Sequence, residues 1–311
     1  MIYDPKKPNL FPSNNDVVVV VSGRSVVRFR ALIRYVLYIS VVVAIFLIAE
    51  ALYLNYSPEL VQTTGFYCND DSIRHPFVKS HLTMKGVFAL ALIPSFFAIL
   101  LTETLRLYRN NDPDVYVPCE DGLSKSSKLI TRVILFYSYL FTAVTLDVVA
   151  LFICKFLVGR LRPHFIAVCQ PDVGFERCNT STYITDYRCT NDNQKLIANA
   201  RMSFFSGHSS LIATSTTFLI LYFQTRLQGQ LKARWIVAVL YTIMIVFTLW
   251  IGYSRILDYK HHPTDVIVGF LVGVSISIVV SICVGLNSLS SLETWRKRSA
   301  EILKITPASL S

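Results

Sequence analysis

The chain has 311 residues, of which 53% are hydrophobic and only 16% are charged, with a mean hydropathy of +0.48. Because soluble domains carry about 25% charged residues, this composition excludes an ordinary soluble globular protein. The formal net charge is +10, but no nucleic-acid recognition motif accompanies it, so contact of the basic segments with anionic lipid explains the charge better than DNA or RNA binding.

A basic segment, residues 1–34, precedes the first apolar stretch and lacks the pattern of a cleaved signal peptide. Six apolar stretches of roughly membrane-spanning length follow: 35–54, 86–102, 133–154, 209–225, 235–253 and 266–286. The runs are continuous rather than alternating, which indicates helices and not strands. The sequence therefore predicts an all-α, polytopic membrane protein, with a six-helix domain over 35–286 and a basic tail over 287–311.

Lysine and arginine concentrate in the N-terminal segment, the second and fourth loops and the tail. Short basic loops stay in the cytoplasm, so both termini are expected there, and the first, third and fifth loops face the lumen or the outside. We expect a multi-pass protein of the plasma membrane, with the endoplasmic reticulum or Golgi as alternatives. A homo-oligomer is left open.

The third loop, 155–208, is the largest segment outside the membrane and is expected to form a compact cap. It contains Cys169, Cys178 and Cys189, and the first loop contains Cys68. A disulfide within the third loop is expected, but the sequence does not choose among the pairings. Asn179 begins an Asn-Thr-Ser sequon and is a predicted glycosylation site on the outer face.

Three short segments carry side chains suited to phosphate, and the predicted topology places them all at the outer face. The candidate residues are Lys155, Arg162, Ser206, Gly207, His208, Arg255, His261 and Asp265. Fixed cations stabilise the charge of a transferring phosphoryl group, and a helix N-terminus after Ser206 and Gly207 adds unpaired N–H groups. These positive charges replace those of a divalent ion, so no metal and no cofactor are expected.

The spacing of His261 and Asp265 puts both side chains on one face of a helix, where the carboxylate could bond one ring nitrogen and leave the other as a nucleophile. His262 is three residues from Asp265, which also permits contact, so spacing alone does not choose between the two histidines. Asp147 lies in the middle of the third span, and we interpret it as a buried polar contact between helices.

Taken together, the three segments resemble the type 2 phosphatidic acid phosphatase superfamily. The pattern matches at Lys155, Arg162, Pro163, Ser206, Gly207, His208, Ser254, Arg255, His261 and Asp265. Phe205 stands where the broad family has proline, and an aromatic residue there is similar to the animal lipid phosphate phosphatases. The stretches 159–165, 203–210 and 258–262 also resemble that subfamily.

The resemblance implies a six-span bundle with an outward-facing, metal-independent active site for lipid phosphates such as phosphatidate, lysophosphatidate, sphingosine 1-phosphate and ceramide 1-phosphate. It implies that His261 is the nucleophile with Asp265 as its partner, and that His208 protonates the leaving oxygen. The remaining motif residues are then phosphate ligands: Lys155, Arg162, Ser206, Gly207 and Arg255.

Three other functions fit the sequence less well. An inactive relative that acts through membrane partners would have lost motif residues, and this chain keeps them. A transporter would need more intramembrane charge than the spans contain. A sugar phosphatase or sphingolipid synthase lacks the animal-type local sequences.

Overall fold

The computed structural model describes residues 23–108, 124–173, 182–227 and 234–285. This part of the chain is mostly helical. Its helices are α1 Gly23–Leu54, α2 Met84–Tyr108, α3 Lys125–Val158, α4 Phe165–Cys169, α5 Gln194–Ala200, α6 Gly207–Leu227, α7 Arg234–Leu257 and α8 Pro263–Gly285. Two 3₁₀ turns, Pro58–Leu60 and Asp71–Ile73, and two short strands, β1 Phe66–Tyr67 and β2 Tyr183–Ile184, complete the described elements.

Each predicted span coincides with one long helix, apart from residue 286, which lies outside the described residues. Four of these helices are long and apolar enough to cross a membrane: Met84–Tyr108, Lys125–Val158, Trp235–Leu257 and Pro263–Cys283. Their outward faces carry large apolar side chains such as Phe97, Trp250 and Leu271, each about 60% exposed. A water-soluble protein would bury such a surface. The chain is therefore an integral membrane protein.

The other two predicted spans are less clear by composition. Within α1 the part whose side chains the structure describes is the apolar segment Leu37–Leu52, which does not cover the whole predicted stretch. Helix α6 has 21 residues and carries several serines and threonines along its length. The helical, polytopic fold is thus confirmed, and the count of six spans stays a prediction. The domain limits at 34 and 286 also stay predictions, since 1–22 and 286–311 lie outside the described residues.

Local sequence explains where α3 begins and ends. The Ser124 hydroxyl accepts a hydrogen bond from the Ser127 N–H, which satisfies one of the free donors of the first turn. The helix ends at Gly159, which adopts φ +59°, and a Cβ there would lie 2.5 Å from the Gln62 carbonyl oxygen. Glycine is therefore required at this stop, and the stop turns the chain back over the end of the bundle.

The bundle is centred on α6, whose most extensive contact is with α8. A Cβ at Gly273 of α8 would lie 2.3 Å from the Ser210 carbonyl oxygen, so glycine allows the two backbones to approach closely. Ser277 donates to the Thr214 carbonyl at 2.5 Å across the same interface. Helices α2 and α3 also pack on α6, around the buried side chains of Val87, Leu140 and Leu211, and α3 contacts α8 as well.

A small cap covers one end of the bundle, as expected for the third loop. The first loop joins it, because β1 pairs antiparallel with β2 in the register Phe66–Ile184. Phe66, Leu161 and Phe165 share its apolar core. A disulfide joins Cys169 to Cys189, which confirms a bridge within the third loop and chooses its pairing. Asn179 and Cys178 lie outside the described residues.

Candidate active site

The three sequence segments meet at the capped end of the bundle around a cavity of about 320 Å³. Six of the eight predicted site residues line it: Lys155, Arg162, Gly207, His208, Arg255 and His261. Lys155 comes from the last turn of α3, His208 from the first turn of α6 and Arg255 from the last turn of α7. The fold thus brings three helix ends together, so motifs that are far apart in the sequence become neighbours.

His261 is buried at the cavity wall, and its ring orientation is fixed by one strong contact. Its Nδ1 lies 2.7 Å from the Ser203 carbonyl oxygen. A carbonyl oxygen can only accept, so Nδ1 must carry the proton. In the neutral ring Nε2 then holds the lone pair. Burial, followed by the charges of Arg162 and Lys155, lowers the pKa of His261 well below its usual range, which keeps the ring neutral at neutral pH.

The expected hydrogen bond from His261 to Asp265 is absent among the described contacts. The Asp265 carboxylate is 4.0 Å from His261 Nδ1, and the Ser203 carbonyl accepts that proton instead. The helical spacing assumed for the pair also does not form, because α8 begins at Pro263 and His261 precedes it in the turn after α7. A residue directly before proline disfavours the helical conformation, which explains why the helix starts no earlier.

Asp265 instead anchors a buried network beside His261. Its carboxylate accepts hydrogen bonds from Arg160 Nη1 at 2.5 Å, from the Ser203 hydroxyl at 2.6 Å and from the His262 backbone N–H at 3.1 Å. Ser203 therefore contacts both residues of the predicted pair, through its hydroxyl to Asp265 and through its carbonyl to His261. The carboxylate positions the imidazole through this serine.

His261 and His262 lie in different surroundings. The described lining of the cavity includes His261 and does not include His262. The Nε2 of His262 instead donates to the Leu161 carbonyl at 3.1 Å, on the cap side. Burial lowers the pKa of His262 as well, but its ring is held as part of the scaffold. The geometry therefore favours His261 over His262 as the reacting histidine.

His208 and the residues before it form the first turn of α6. Nε2 of His208 is 3.0 Å from the Leu82 carbonyl oxygen, so this nitrogen carries a proton and Nδ1 is left for proton exchange. A Cβ on Gly207 would lie 2.6 Å from Leu151, which means that glycine also serves the packing of α6 on α3. Ser206 is fully buried and does not line the cavity, and its N–H donates to the Asp265 carbonyl at 3.0 Å.

The predicted cations are held by neutral and acidic partners. Lys155 donates from Nζ to the Met202 carbonyl at 2.9 Å. Arg255 donates to the Ser80 hydroxyl at 2.6 Å and lies 3.0 Å from the Asp258 carboxylate. Arg162 follows the Gly159 stop, with its backbone N–H bonded to the Ala200 carbonyl at 2.8 Å. Each charge is positioned at the cavity by a contact with a different part of the fold.

Sequence reasoning missed four parts of this site. Arg160 and Ser203 stand inside the stretches that carried the resemblance, two residues before Arg162 and three before Ser206, and no spacing rule singled them out. Lys260 lines the cavity directly beside His261. The first loop was expected only to face outward, yet it supplies Ser80 and the Leu82 carbonyl to the basic groups. Only the fold reveals that loop, since it lies far from the motifs in the chain.

His164 also lines the cavity and was quoted in the sequence only as part of a motif. Its Nδ1 donates to the Tyr259 carbonyl at 2.7 Å, and Tyr259 itself adopts φ +52°. Burial lowers the pKa of His164 to about 4, so the ring is neutral at neutral pH. His164 therefore stabilises the turn between α7 and α8, which places His261 at the cavity.

Comparison with known proteins identifies the family of the chain. The family model of the PAP2 superfamily matches residues 133–288. The chain is 36% identical to human Phospholipid phosphatase 2 over 70% of its own length and 72% of that protein. It is 31% identical to mouse Phospholipid phosphatase 1, over 76% of this chain and 80% of that one.

A relative from Caenorhabditis elegans, Phospholipid phosphatase homolog 1.2 homolog, is 33% identical over 73% of this chain and 67% of its own length. A crystal structure of a transmembrane PAP2 type phosphatidylglycerolphosphate phosphatase from Bacillus subtilis aligns with 82% of this chain and 94% of that chain, at 16% identity and a TM-score of 0.33. From the family match and the identities to the two mammalian proteins, the chain belongs to the PAP2 superfamily and, within it, to the animal lipid phosphate phosphatases.

Proposed function

We propose that this lipid phosphatase hydrolyses lipid phosphate monoesters without a metal, through a phosphohistidine formed at Nε2 of His261. One observation carries the proposal: the Nδ1–H of His261 is bonded to the Ser203 carbonyl, which directs the lone pair to Nε2 in a wall of the basic cavity. A neutral imidazole in that tautomer is a competent nucleophile. The surrounding Lys155, Arg162 and Arg255 stabilise charge on the equatorial oxygens.

In the first step the lone pair on Nε2 of His261 forms the N–P bond. The P–O ester bond breaks, and its electron pair goes to the leaving oxygen. His208 receives a proton on Nδ1 from the bound phosphate monoester monoanion and passes it to that oxygen, while its Nε2–H stays on the Leu82 carbonyl. Such proton transfer contributes typically about 10²–10⁴-fold to a rate. The Gly207 N–H, at the start of α6, faces the phosphate in this arrangement.

In the second step water attacks the phosphorus of the phosphohistidine. His208 takes the water proton on Nδ1, the P–N bond breaks, and the electron pair returns to Nε2 of His261. The imidazolium-like charge that builds on His261 during both steps is balanced by Asp265, which is 4.0 Å from Nδ1 and fully buried. Inorganic phosphate and the dephosphorylated lipid are the products.

The wall of the cavity supports a lipid substrate. Besides the basic groups it is lined by apolar side chains of α2 and α3: Met84, Phe88, Val148, Leu151 and Phe152. A sugar phosphate would leave this apolar wall in contact with hydroxyl groups that it cannot bond, whereas an acyl chain matches it. The proposed substrates are phosphatidate, lysophosphatidate, sphingosine 1-phosphate and ceramide 1-phosphate.

The proposed orientation follows from charge. The basic second and fourth loops and both basic termini are proposed to lie in the cytoplasm, so catalysis faces the lumen or the outside. Asn179 is then glycosylated. The plasma membrane is the proposed site of action, where the enzyme would act on signalling lipids.

The test is phosphate release from a panel of the four lipid phosphates in mixed micelles that contain excess EDTA. Full activity in EDTA is expected, because Lys155, Arg162 and Arg255 supply the charge that a divalent ion would bring. Loss of activity in EDTA that magnesium restores would contradict the metal-independent mechanism. Equal turnover of glucose 6-phosphate would contradict the lipid specificity.

A further inference from the structure

Lys260 lies in the turn between α7 and α8, directly before His261, and the motif comparison gave it no role. Its backbone N–H donates to the Arg255 carbonyl at 3.0 Å, which holds the residue at the end of α7. The side chain is buried, with 8% of its surface exposed, and it lines the same cavity as His208 and His261. A lysine is rarely buried to this extent without a function or a partner.

The contacts of Lys260 leave its positive charge available. Its Nζ is 4.0 Å from the centroid of the Phe77 ring, in the loop before α2. A ring face attracts an ammonium group but does not neutralise it. The nearby carboxylate of Asp258 is shared, since it lies 3.0 Å from Arg255 Nη2 and 4.0 Å from His81 Nε2.

Like charges surround Lys260 on the cavity side. Arg162, from the turn after α3, and Arg255, from α7, both act on its ammonium, and Asp258 opposes them. Burial is the largest effect, and together these groups lower the pKa of Lys260 to about 8. His164 also lines the cavity, and after burial the charges of Arg162 and Lys260 further lower its pKa. Three cations with one shared carboxylate form a site whose charge is balanced by a bound anion.

We propose that Lys260 is a further phosphate ligand, whose ammonium binds an oxygen of the substrate phosphate monoester beside Arg162 and Arg255. The proposal rests on the proposed function, because it adds a residue to the same site. Phe77 positions the ammonium from the first loop, so the loop and the catalytic turn contribute jointly to phosphate affinity.

The pH dependence of this contact has a definite sign. Lys260 is charged below its pKa of about 8 and loses its charge as the pH rises through that value. In the free enzyme kcat/KM therefore falls above pH ~8, since kcat/KM reports groups of the free enzyme. A bound phosphate stabilises the ammonium and raises its pKa, so kcat at saturating substrate keeps its value to higher pH.

The experiment compares Lys260→Gln and Lys260→Arg with Lys195→Gln, a matched loss of one charge at an exposed position on the cap. Short-chain phosphatidate in micelles with EDTA gives kcat and KM across pH 6 to 10, and inorganic phosphate gives an inhibition constant. Lys260→Gln should lower kcat/KM and weaken phosphate inhibition by about 10- to 100-fold, as expected for one hydrogen bond to a charged group. Lys195→Gln should change neither.

Lys260→Arg is the sharper variant, because arginine keeps its charge throughout this pH range. It should retain phosphate inhibition and lose the decline of kcat/KM near pH 8. A Lys260→Gln enzyme with unchanged phosphate inhibition, or a decline near pH 8 that persists in Lys260→Arg, would overturn the proposal.

A turnover-independent readout separates this proposal from the mechanism itself. Inorganic phosphate stabilises a protein that binds it, so it should raise the Tm of the wild-type enzyme and of Lys195→Gln, and raise that of Lys260→Gln much less. This shift depends on phosphate binding and not on His261. Equal Tm shifts in all variants would contradict the role of Lys260 even if the histidine mechanism holds, whereas failure of the histidine mechanism leaves the Tm comparison unchanged.

Discussion

Two buried clusters of charge lie at opposite ends of the same three helices, and they are built differently. One is the catalytic cavity, reached by Met84 of α2, Lys155 of α3 and His208 of α6. The other, the Glu103 cluster, consists of Glu103 and Arg106 of α2, Arg132 of α3, and Tyr222 and Arg226 of α6. At 1.5 Å per residue, the two clusters are about 28 Å apart along α2.

In the Glu103 cluster the carboxylate is saturated by side chains. Arg226 donates to both of its oxygens, from Nε at 2.8 Å and from Nη2 at 2.7 Å, and the Tyr222 hydroxyl donates at 2.8 Å. Arg132 lies 3.8 Å from the same carboxylate. A bidentate arginine pair of this kind holds helices in a fixed register. The cluster fixes α2 against α6, and its carboxylate is occupied by donors of the protein itself.

At the catalytic end the carboxylates bond other residues of the protein, and the basic side chains line the cavity. Asp265 accepts hydrogen bonds from Arg160 and Ser203, and Asp258 forms an ion pair with Arg255. Lys155, Arg162 and Lys260 line the cavity that is proposed to bind the phosphate. The difference teaches that buried charge alone does not mark an active site. Both clusters carry more positive than negative groups, and what marks the candidate active site is that its cations line a cavity.

The largest contrast is expected from removing the nucleophile. His261→Ala should abolish turnover of every substrate and leave the Tm in detergent near that of the wild-type enzyme. His208→Ala should lose about 10²–10⁴-fold on lipid substrates and recover partly on p-nitrophenyl phosphate, whose leaving group needs no proton. The measurement is phosphate release at equal folded amounts. Rescue of His261→Ala by p-nitrophenyl phosphate would contradict this division of roles.

The opposite pattern is expected from Glu103→Ala. Removing the carboxylate leaves buried arginines without their partner, which costs on the order of 3–5 kcal/mol of stability. The Tm and the yield of folded protein should fall, while kcat for each folded molecule stays close to the wild-type value. Glu59→Ala, at an exposed position, is the control and should change neither. A Glu103→Ala enzyme with normal Tm and low kcat would erase the distinction between the two clusters.

A smaller effect is expected at the catalytic end from a residue that supports the reacting groups without reacting itself. Ser203→Ala removes the hydroxyl bond to Asp265 but keeps the backbone carbonyl that orients His261. We expect kcat to fall about tenfold, since one hydrogen bond to a charged group is lost. Ser215→Ala, a buried serine bonded within its own helix, is the matched control. A Ser203→Ala enzyme as inactive as His261→Ala would mean that the hydroxyl takes part directly.

The smallest effect is expected at His262. Its ring donates to the Leu161 carbonyl on the cap side, away from the phosphate. His262→Ala should therefore reduce kcat/KM less than tenfold and lower the Tm slightly. The same assays used for His261→Ala decide the point. If His262→Ala were inactive and His261→Ala active, the assignment of the nucleophile would be wrong.

The sequence predicted the helices and the meeting of the three motifs well, because long apolar runs and strict motif spacing are local signals. It did not predict the partner of His261. The Ser203 carbonyl carries no side-chain signature, and Asp265 has the right spacing for a hydrogen bond that the Ser203 carbonyl accepts instead. The Glu103–Arg226 pair joins residues of two helices, and the sequence indicated Arg226 only as a cytoplasmic loop charge.

The first loop shows the same limit. Phe77, Ser80 and Leu82 line the cavity beside the basic groups, in a loop that the β1–β2 pairing joins to the cap. Nothing in the local sequence of the loop indicates phosphate chemistry. Contacts made by backbone carbonyls and by distant loops need the fold, whereas charged motifs at helix ends do not.

The most direct test of the central claim is to trap the covalent intermediate. The enzyme is mixed with phosphatidate labelled with ³²P in the phosphate, quenched within milliseconds in alkali, digested and mapped. We expect one acid-labile, alkali-stable label on the peptide that contains His261, absent in His261→Ala and retained in His262→Ala and Lys260→Gln at saturating substrate. Label on His208 or His262, or full turnover by His261→Ala, would contradict the account.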